Sequence, residues 1–303
     1  MKEITPQLTE KLAAHFAASV PRGEAYPVAT CGELSGILAE LAYLNRDYLL
    51  FFRGQPRDFR NKAGASTLYP SLYRRNVISK QRLDHDFAVL EELSALLVDE
   101  TKKLDRRAAD ELRRKRHLRW ALLQHYGVCE TPLLDLTASH RAACTFAQRS
   151  AEGSAEGGRC YLYAIALPYP TGGLAIDASQ EVVAARLGGS CPPIALRPAF
   201  QEGWLAGTTD ITDNFDDKNE LDFNRRLVAK FSLPAGAAFW GDALGPVPEA
   251  VLLRSGERDP LGGICASLRG ALLQAEGMLF DAAACPEGTD ALAERLRARL
   301  GGK

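Results

Sequence analysis

With 303 residues, 46% of them hydrophobic, the chain can bury roughly 75% of its unfolded surface, and its core needs no metal or disulfide staple. Its 37 basic and 38 acidic residues nearly cancel, which excludes a global field that draws it to nucleic acid or to a membrane surface. Seven cysteines, odd in number and without a C-x-x-C, read as free thiols in a reducing cytoplasm, and no apolar run reaches the ~20 residues of a membrane helix.

The opening "MKEITPQLTEKLAAHFAAS" carries charges every few residues and no signal-peptide core. Leu8, Leu12 and Phe16 recur at helical spacing, which predicts a short amphipathic helix with Pro6 near its first turn. In "TCGELSGILAELAYL", Thr30 and Glu33 have capping-box spacing, and Leu34, Ile37, Leu38, Leu41 and Leu44 trace one apolar stripe. Asn45-Arg46-Asp47 turns the chain into a strand at Tyr48–Phe52. Residues 81–124 lack Pro and Gly and predict long helix, with Leu90, Leu93, Leu97, Leu104, Ala108 and Leu112 as its buried face. After Pro132 a short strand leads to Asp135-Leu136-Thr137. The small residues of "ASHRAACTFAQ" then make a helix able to lie close on a sheet. "SAEGSAEGG", residues 150–158, reads as a flexible loop. "RCYLYAIALP" is a strand stopped by Pro168, "LVAKFSLP" and "EAVLLR" read as later strands, and "DALAERLRARL" closes as a helix. The predicted fold class is α+β, with N-terminal helices packed on a mixed β core and a C-terminal helix. A single unit over residues 1–303 divides into an N-terminal helical part (1–47), a core (48–255) and a C-terminal helical part (256–303).

Chemistry first surfaces in "LLFFRGQPRD", residues 49–58, where an apolar strand runs straight into Arg53. A guanidinium there either pairs with a buried carboxylate such as Asp135 or offers its planar fork to a diphosphate, and Gly54 lets a ligand approach the backbone. His125 and Tyr126, just before Gly127, either stack on a base or, for the histidine, bond a loop carbonyl. Asp135 and Thr137 alternate with Leu134 and Leu136 and so share one strand face. They either build a polar site or, through Thr137 or Ser139, cap the next helix. His125 with Cys129 and His140 with Cys144 have ligand-like spacing, but Cys144 lies among Ala142, Ala143 and Phe146, where a buried thiol is the ordinary role. No metal is expected. The basic run at residues 106–119 either meets nucleic acid or is a solvated helix face softened by Asp110 and Glu111; no aromatic residue is interleaved with its arginines.

The order "FFRGQ", "TLYPSLYRR", "LLQHYGVCETPLLDLTASHRAACTFA", "RPAFQEGW" resembles the FRG-domain family, named for its Phe-Arg-Gly motif, from about residue 30 to residue 290. The layout is also similar to that of ADP-ribosyltransferases, which carry an aromatic-Arg-Gly at the end of an early strand, a hydroxyl-bearing strand before a helix, and a late Glu or Gln-x-Glu. The resemblance implies an ADP-ribosyltransferase-like fold and NAD-dependent transfer of ADP-ribose to an unknown macromolecular acceptor, protein or nucleic acid. It implies that NAD, the substrate, is held by Arg53, Gly54, Gln55, His125, Tyr126, Asp135 and Thr137. It further implies that Glu202, Gln201 and Arg53 are catalytic. Glu202 would stabilise the positive charge that builds on the ribose as nicotinamide leaves, and Gln201 would orient the acceptor. Gln274-Ala-Glu276 has the literal Gln-x-Glu spacing but lies in a predicted C-terminal helix. Taken from the residues alone, Gln201-Glu202 is a polar turn before Trp204. The competing function is a non-catalytic nucleotide-sensing or interaction domain built on the same pocket.

Overall fold

The structure is a computed structural model that describes residues 1–17, 19–75, 78–151, 158–209, 218–241, 244–252, 259–277 and 288–301. Thr9 caps α1 (Glu10–Phe16) by accepting the Leu12 N–H, so Pro6 stands ahead of the cap and not in the first turn. Beyond the short β1 (Tyr26–Pro27), α2 (Cys31–Leu44) opens as its capping spacing predicts. The Thr30 hydroxyl accepts the Glu33 N–H, while the Glu33 carboxylate reaches back to the Ala29 N–H. Leu34, Leu38 and Leu41 are buried, whereas Leu44 reaches the surface. The next strand, β2 (Leu49–Gln55), does not end at Phe52 but continues through Arg53 and Gly54.

The predicted long helix is three helices: α3 (Lys80–Leu104), α4 (Arg106–Arg114) and α5 (Arg116–His125). Asp105 makes the first break. Its extended backbone closes α3 through a bond to the Thr101 carbonyl, and its carboxylate opens α4 by accepting the Ala108 N–H. The buried stripe accordingly passes through Thr101, while Leu104 is 60% exposed.

Then follow β3 (Leu134–Thr137), α6 (His140–Ala151), β4 (Arg159–Leu167), β5 (Leu174–Asp177), β6 (Val182–Arg186), α7 (Leu187–Ser190) and α8 (Arg197–Phe200). The chain continues into β7 (Gly203–Thr208), β8 (Leu227–Pro234), α9 (Glu249–Leu252), α10 (Pro260–Ala275) and α11 (Thr289–Gly301). "EAVLLR" is therefore not a strand over its described part. Just after Pro248 the N–H groups of Val251 and Leu252 turn back to the Pro248 carbonyl, while Leu253 and Arg254 lie outside the described residues. Of the predicted 150–158 loop, residues 152–157 lie outside them as well.

The strands form one eight-stranded sheet in the order β1-β8-β4-β2-β3-β7-β6-β5, antiparallel except for the parallel β1–β8 edge. Alternation along β6 and β7 sends side chains into two separate cores. Val182, Ala184, Trp204 and Ala206 join the core that α1, α2 and α6 share with the sheet. Val183, Ala185 and Leu205 join a second core built by α3, α5, α10 and α11. The α+β class follows from this layering, and no helix among the described residues is long and apolar enough to cross a membrane.

One seam in the sheet is weak. β2 and β4 are in register along all of β2, from Leu49↔Leu167 to Gln55↔Tyr161. On its other side β2 meets β3 only at Phe52↔Thr137, and the two strands part beyond that pair.

Candidate functional site

The parting of β2 and β3 leaves a cleft of about 270 Å³. Its walls include three consecutive residues from each strand: Phe52, Arg53 and Gly54 on β2, and Asp135, Leu136 and Thr137 on β3. Successive strand residues face opposite sides, so a cavity touching three in a row on both strands opens through the gap in the sheet. His125, Ala143, Phe146, Arg197 and Gln201 complete the lining.

Local chain geometry delivers each of these groups. At the end of α5, Gly127 takes a left-handed conformation (φ +68) while the Val128 N–H reaches back to the Leu123 carbonyl. This glycine stop leaves His125 on the last helical turn and lets the chain return as β3. Gln124, one residue earlier, receives hydroxyl donors from Ser71 and Thr131 on its oxygen and donates its amide N–H to Asp135 Oδ2 at 3.0 Å. Where the ladder lacks a backbone bond, the Arg53 side chain supplies one, donating from Nη1 to the Asp135 carbonyl at 2.8 Å.

Charge in the cleft is unbalanced. Burial pulls the Arg53 guanidinium down to about 10, repulsion from Arg74 adds to this, and Asp135 only partly offsets the two. Arg53 Nε is buried without a hydrogen-bond partner. A buried, under-partnered guanidinium pushed by a second one is a place where an anion lowers the energy. Burial alone would raise the Asp135 carboxyl, but His125, Arg53 and Gln124 outweigh it and hold it below the usual carboxylate range. His125 Nδ1 lies 3.8 Å from Asp135 Oδ1, and His125 Nε2 is buried without a partner. Among the described lining residues Asp135 is the one carboxylate, against Arg53 and Arg197.

Of the residues singled out from sequence, Arg53, Gly54, His125, Asp135, Thr137 and Gln201 meet in this cleft. Gln55, Tyr126 and Glu202 are not among its lining. Gln55 is buried on β2, its Oε1 unpartnered. Tyr126 donates its hydroxyl to Asp259 Oδ2 at 2.8 Å, tying α5 to the N-cap of α10. Glu202 is exposed, in a left-handed conformation (φ +46), and its carbonyl accepts the Ala138 N–H. Gln201 donates its side-chain amide to the Leu252 carbonyl. The Thr137 hydroxyl donates to the Gln201 carbonyl at 2.7 Å and accepts the Ser139 N–H at 3.0 Å, so it ties β3 to the segment before β7 and turns the chain into α6. Gln274 and Glu276 sit at the far end of α10, where Gln274 bonds Asp290.

Gly54 lines the cleft and has a packing reason as well. A Cβ there would stand 1.9 Å from the Ala143 carbonyl oxygen, so the missing side chain admits helix α6. Arg197 in the lining, and Gln124 and Arg74 coupled to Asp135, lie inside the motif blocks but, unlike Arg53 at the end of an apolar strand, carry no local pattern that marks them. Arg197 stacks its guanidinium 4.9 Å from the Tyr126 ring centroid, which gives Tyr126 an indirect part in shaping the cleft. Among the described residues no group of three or more His, Cys, Asp or Glu is placed to hold a metal.

Neither the curated proteins nor the solved structures contain a match to the chain. Residues 49–156, which supply every lining residue of the cleft except Arg197 and Gln201, match the family model of the FRG domain, and the chain therefore carries an FRG domain.

Proposed function

We propose that the cleft between β2 and β3 binds NAD by its diphosphate and that the protein is a cytoplasmic ADP-ribosyltransferase acting on a macromolecular acceptor. One observation carries this reading: Arg53, repelled by Arg74 and with Nε unpartnered, faces a cavity that Arg197 also lines. A diphosphate docked there would accept charge-assisted hydrogen bonds from both forks. At about 270 Å³ the cleft lies just below the ~300–1,000 Å³ common for ligand sites, which suits part of a dinucleotide with the remainder lying across the mouth. Glu202 follows Gln201 of the lining directly and is exposed; on this reading it meets the ribose of bound NAD. The described cysteines are all free, in keeping with a reducing compartment.

A second reading, nucleotide sensing without cleavage, draws support from the engagement of the Gln201 amide with Leu252 and from Glu202 standing off the cavity wall. Calorimetric titration with NAD, combined with nicotinamide release in the presence of protein and nucleic-acid acceptors, separates the two. On the transferase reading, Arg53→Ala weakens NAD binding about 10- to 100-fold, the loss of a charged hydrogen-bond donor. Glu202→Ala leaves binding intact and abolishes release. Binding without release under every acceptor condition would leave the sensor; absence of binding would remove both.

A further inference from the structure

We propose that His125 is the general base of the cleft and that the acceptor it activates is a neutral hydroxyl, of an alcohol or of water, and not a guanidinium. This rests on the NAD reading above.

The geometry is that of an oriented imidazole. The His125 side chain is only 4% exposed, lines the cleft, and has Nδ1 3.8 Å from Asp135 Oδ1. Gln124 fixes that carboxylate from its other oxygen. A carboxylate on the Nδ1 side favours the tautomer with its proton on Nδ1, which puts the lone pair at Nε2, the buried atom that has no partner. Packing holds the ring in place. A Cβ at position 203 would come within 3.2 Å of His125 Cε1, so Gly203 is the vacancy the imidazole occupies, and the Tyr126 ring stands edge-on with centroids 5.8 Å apart.

The charged groups around this base choose its substrate. Arg53 on β2 and Arg197 on α8 line the same cleft, with Asp135 on β3 as the carboxylate among the described lining residues. A guanidinium acceptor would bring a further cation into this field. A carboxylate acceptor is already ionised at neutral pH and has no use for a base. A hydroxyl is neutral and becomes a competent nucleophile only as it loses its proton. In the reaction the C1′–N bond to nicotinamide breaks and its electron pair leaves on the ring nitrogen. The acceptor oxygen bonds to C1′, and its proton passes to His125 Nε2, giving an imidazolium beside Asp135. With water as acceptor the products are ADP-ribose and nicotinamide, and the proton then passes to solvent.

The test uses the full chain with NAD and either methanol or agmatine, a small guanidine, with products read by mass spectrometry. Nicotinamide release is followed from about pH 5 to 9 for the parent chain, His125→Asn and His125→Gln, with thermal unfolding as the folding control. The expected products are O-methyl-ADP-ribose and ADP-ribose, with no agmatine adduct. Either substitution lowers the rate roughly 10²- to 10⁴-fold, leaves NAD affinity within a few-fold, and removes the rise of rate with pH. Added imidazole restores part of the rate in His125→Asn. An agmatine adduct, or a folded His125 variant that keeps the parent rate and pH profile, overturns the assignment while sparing the transferase reading. NAD bound but left intact with methanol present overturns it too, and a chain that does not bind NAD loses both.

Discussion

Two buried clusters of charge begin within a few residues of each other and end in opposite conditions. Arg53 on β2 reaches a cleft, keeps an unpartnered Nε, and is pulled down in pKa by burial and by a second guanidinium. Asp58, just past the same strand, is closed on all sides. It accepts from Ser66 Oγ at 2.6 Å, Tyr163 OH at 2.9 Å, Arg60 Nε at 2.9 Å and Lys230 Nζ at 3.1 Å. Lys230, fully buried on β8, in turn donates to the Pro21 carbonyl and Ser66. The stretch "FFRGQPRD" thus carries one charge that completes a staple and one that remains available. What separates them is not burial or charge, which they share, but whether neighbouring donors and acceptors saturate the group.

The comparison breaks most visibly at the staple. Lys230→Met leaves Asp58 with Arg60 as its remaining cation, and Asp58→Asn strands the Lys230 ammonium. Each is expected to cost about 3–5 kcal/mol of unfolding free energy. Chemical denaturation read by two probes checks this. Removing both partners in Asp58→Asn/Lys230→Met should recover part of the loss, because no uncompensated charge is left behind.

The next effect appears in the pH dependence of stability, where buried carboxylates divide by sign. Burial raises Asp58, but Ser66, Lys230 and Tyr163 more than reverse it, so its folded pKa is below the ordinary value. Its contribution is full above the ordinary aspartate pKa and is lost as pH falls through the folded one. Asp222 behaves oppositely. It is 1% exposed, and burial raises it to about 6 despite the N–H donors of Asn224 and Leu68 and the Tyr69 hydroxyl. Its contribution is full below the ordinary aspartate pKa and disappears as pH rises through about 6. Asp222→Asn is therefore expected to stabilise the chain near neutrality, with an upper bound on the order of 2–3 kcal/mol, and to remove the decline between about pH 4 and 6. Thermal unfolding across that range, with the parent chain alongside, tests it; an unchanged slope in Asp222→Asn sinks the sign argument.

Much of this arrangement was legible in the sequence, and the failures have physical causes. The α2 cap was readable because Thr30 and Glu33 act locally, within one turn. β4 and β8 were readable because both of their faces are buried and their apolar runs are long. β5 was not: Leu174 and Ile176 point outward from an edge strand, which hides the usual pattern of apolar residues turned inward. The long helix failed at Asp105, where a single carboxylate both follows one helix and caps the next, and periodicity alone cannot register that. At the cleft, Arg53, Asp135 and Thr137 were found together because the motif blocks preserve their order. Of the adjacent pair Gln201-Glu202, Gln201 lines the cleft and Glu202, in a left-handed backbone conformation, does not, a difference that no spacing in the sequence marks. The Asp58–Lys230 staple joins residues far apart in sequence, and no local signal marks such a pair.

The smallest effect is the most telling for the comparison. Arg53→Met removes one donor from the Asp135 carbonyl and one cation from beside the Asp135 carboxylate, and both losses destabilise. The same change also removes a desolvated guanidinium, its unpartnered Nε and its repulsion with Arg74. These terms oppose one another, so the net cost is expected at about 1 kcal/mol or less, several-fold below that of Lys230→Met. Denaturant midpoints for the two variants at equal slope make the comparison direct. A loss from Arg53→Met as large as that from Lys230→Met would mean that Arg53 is itself a staple, satisfied by protein alone, and the anion it is proposed to receive would have no vacancy to fill.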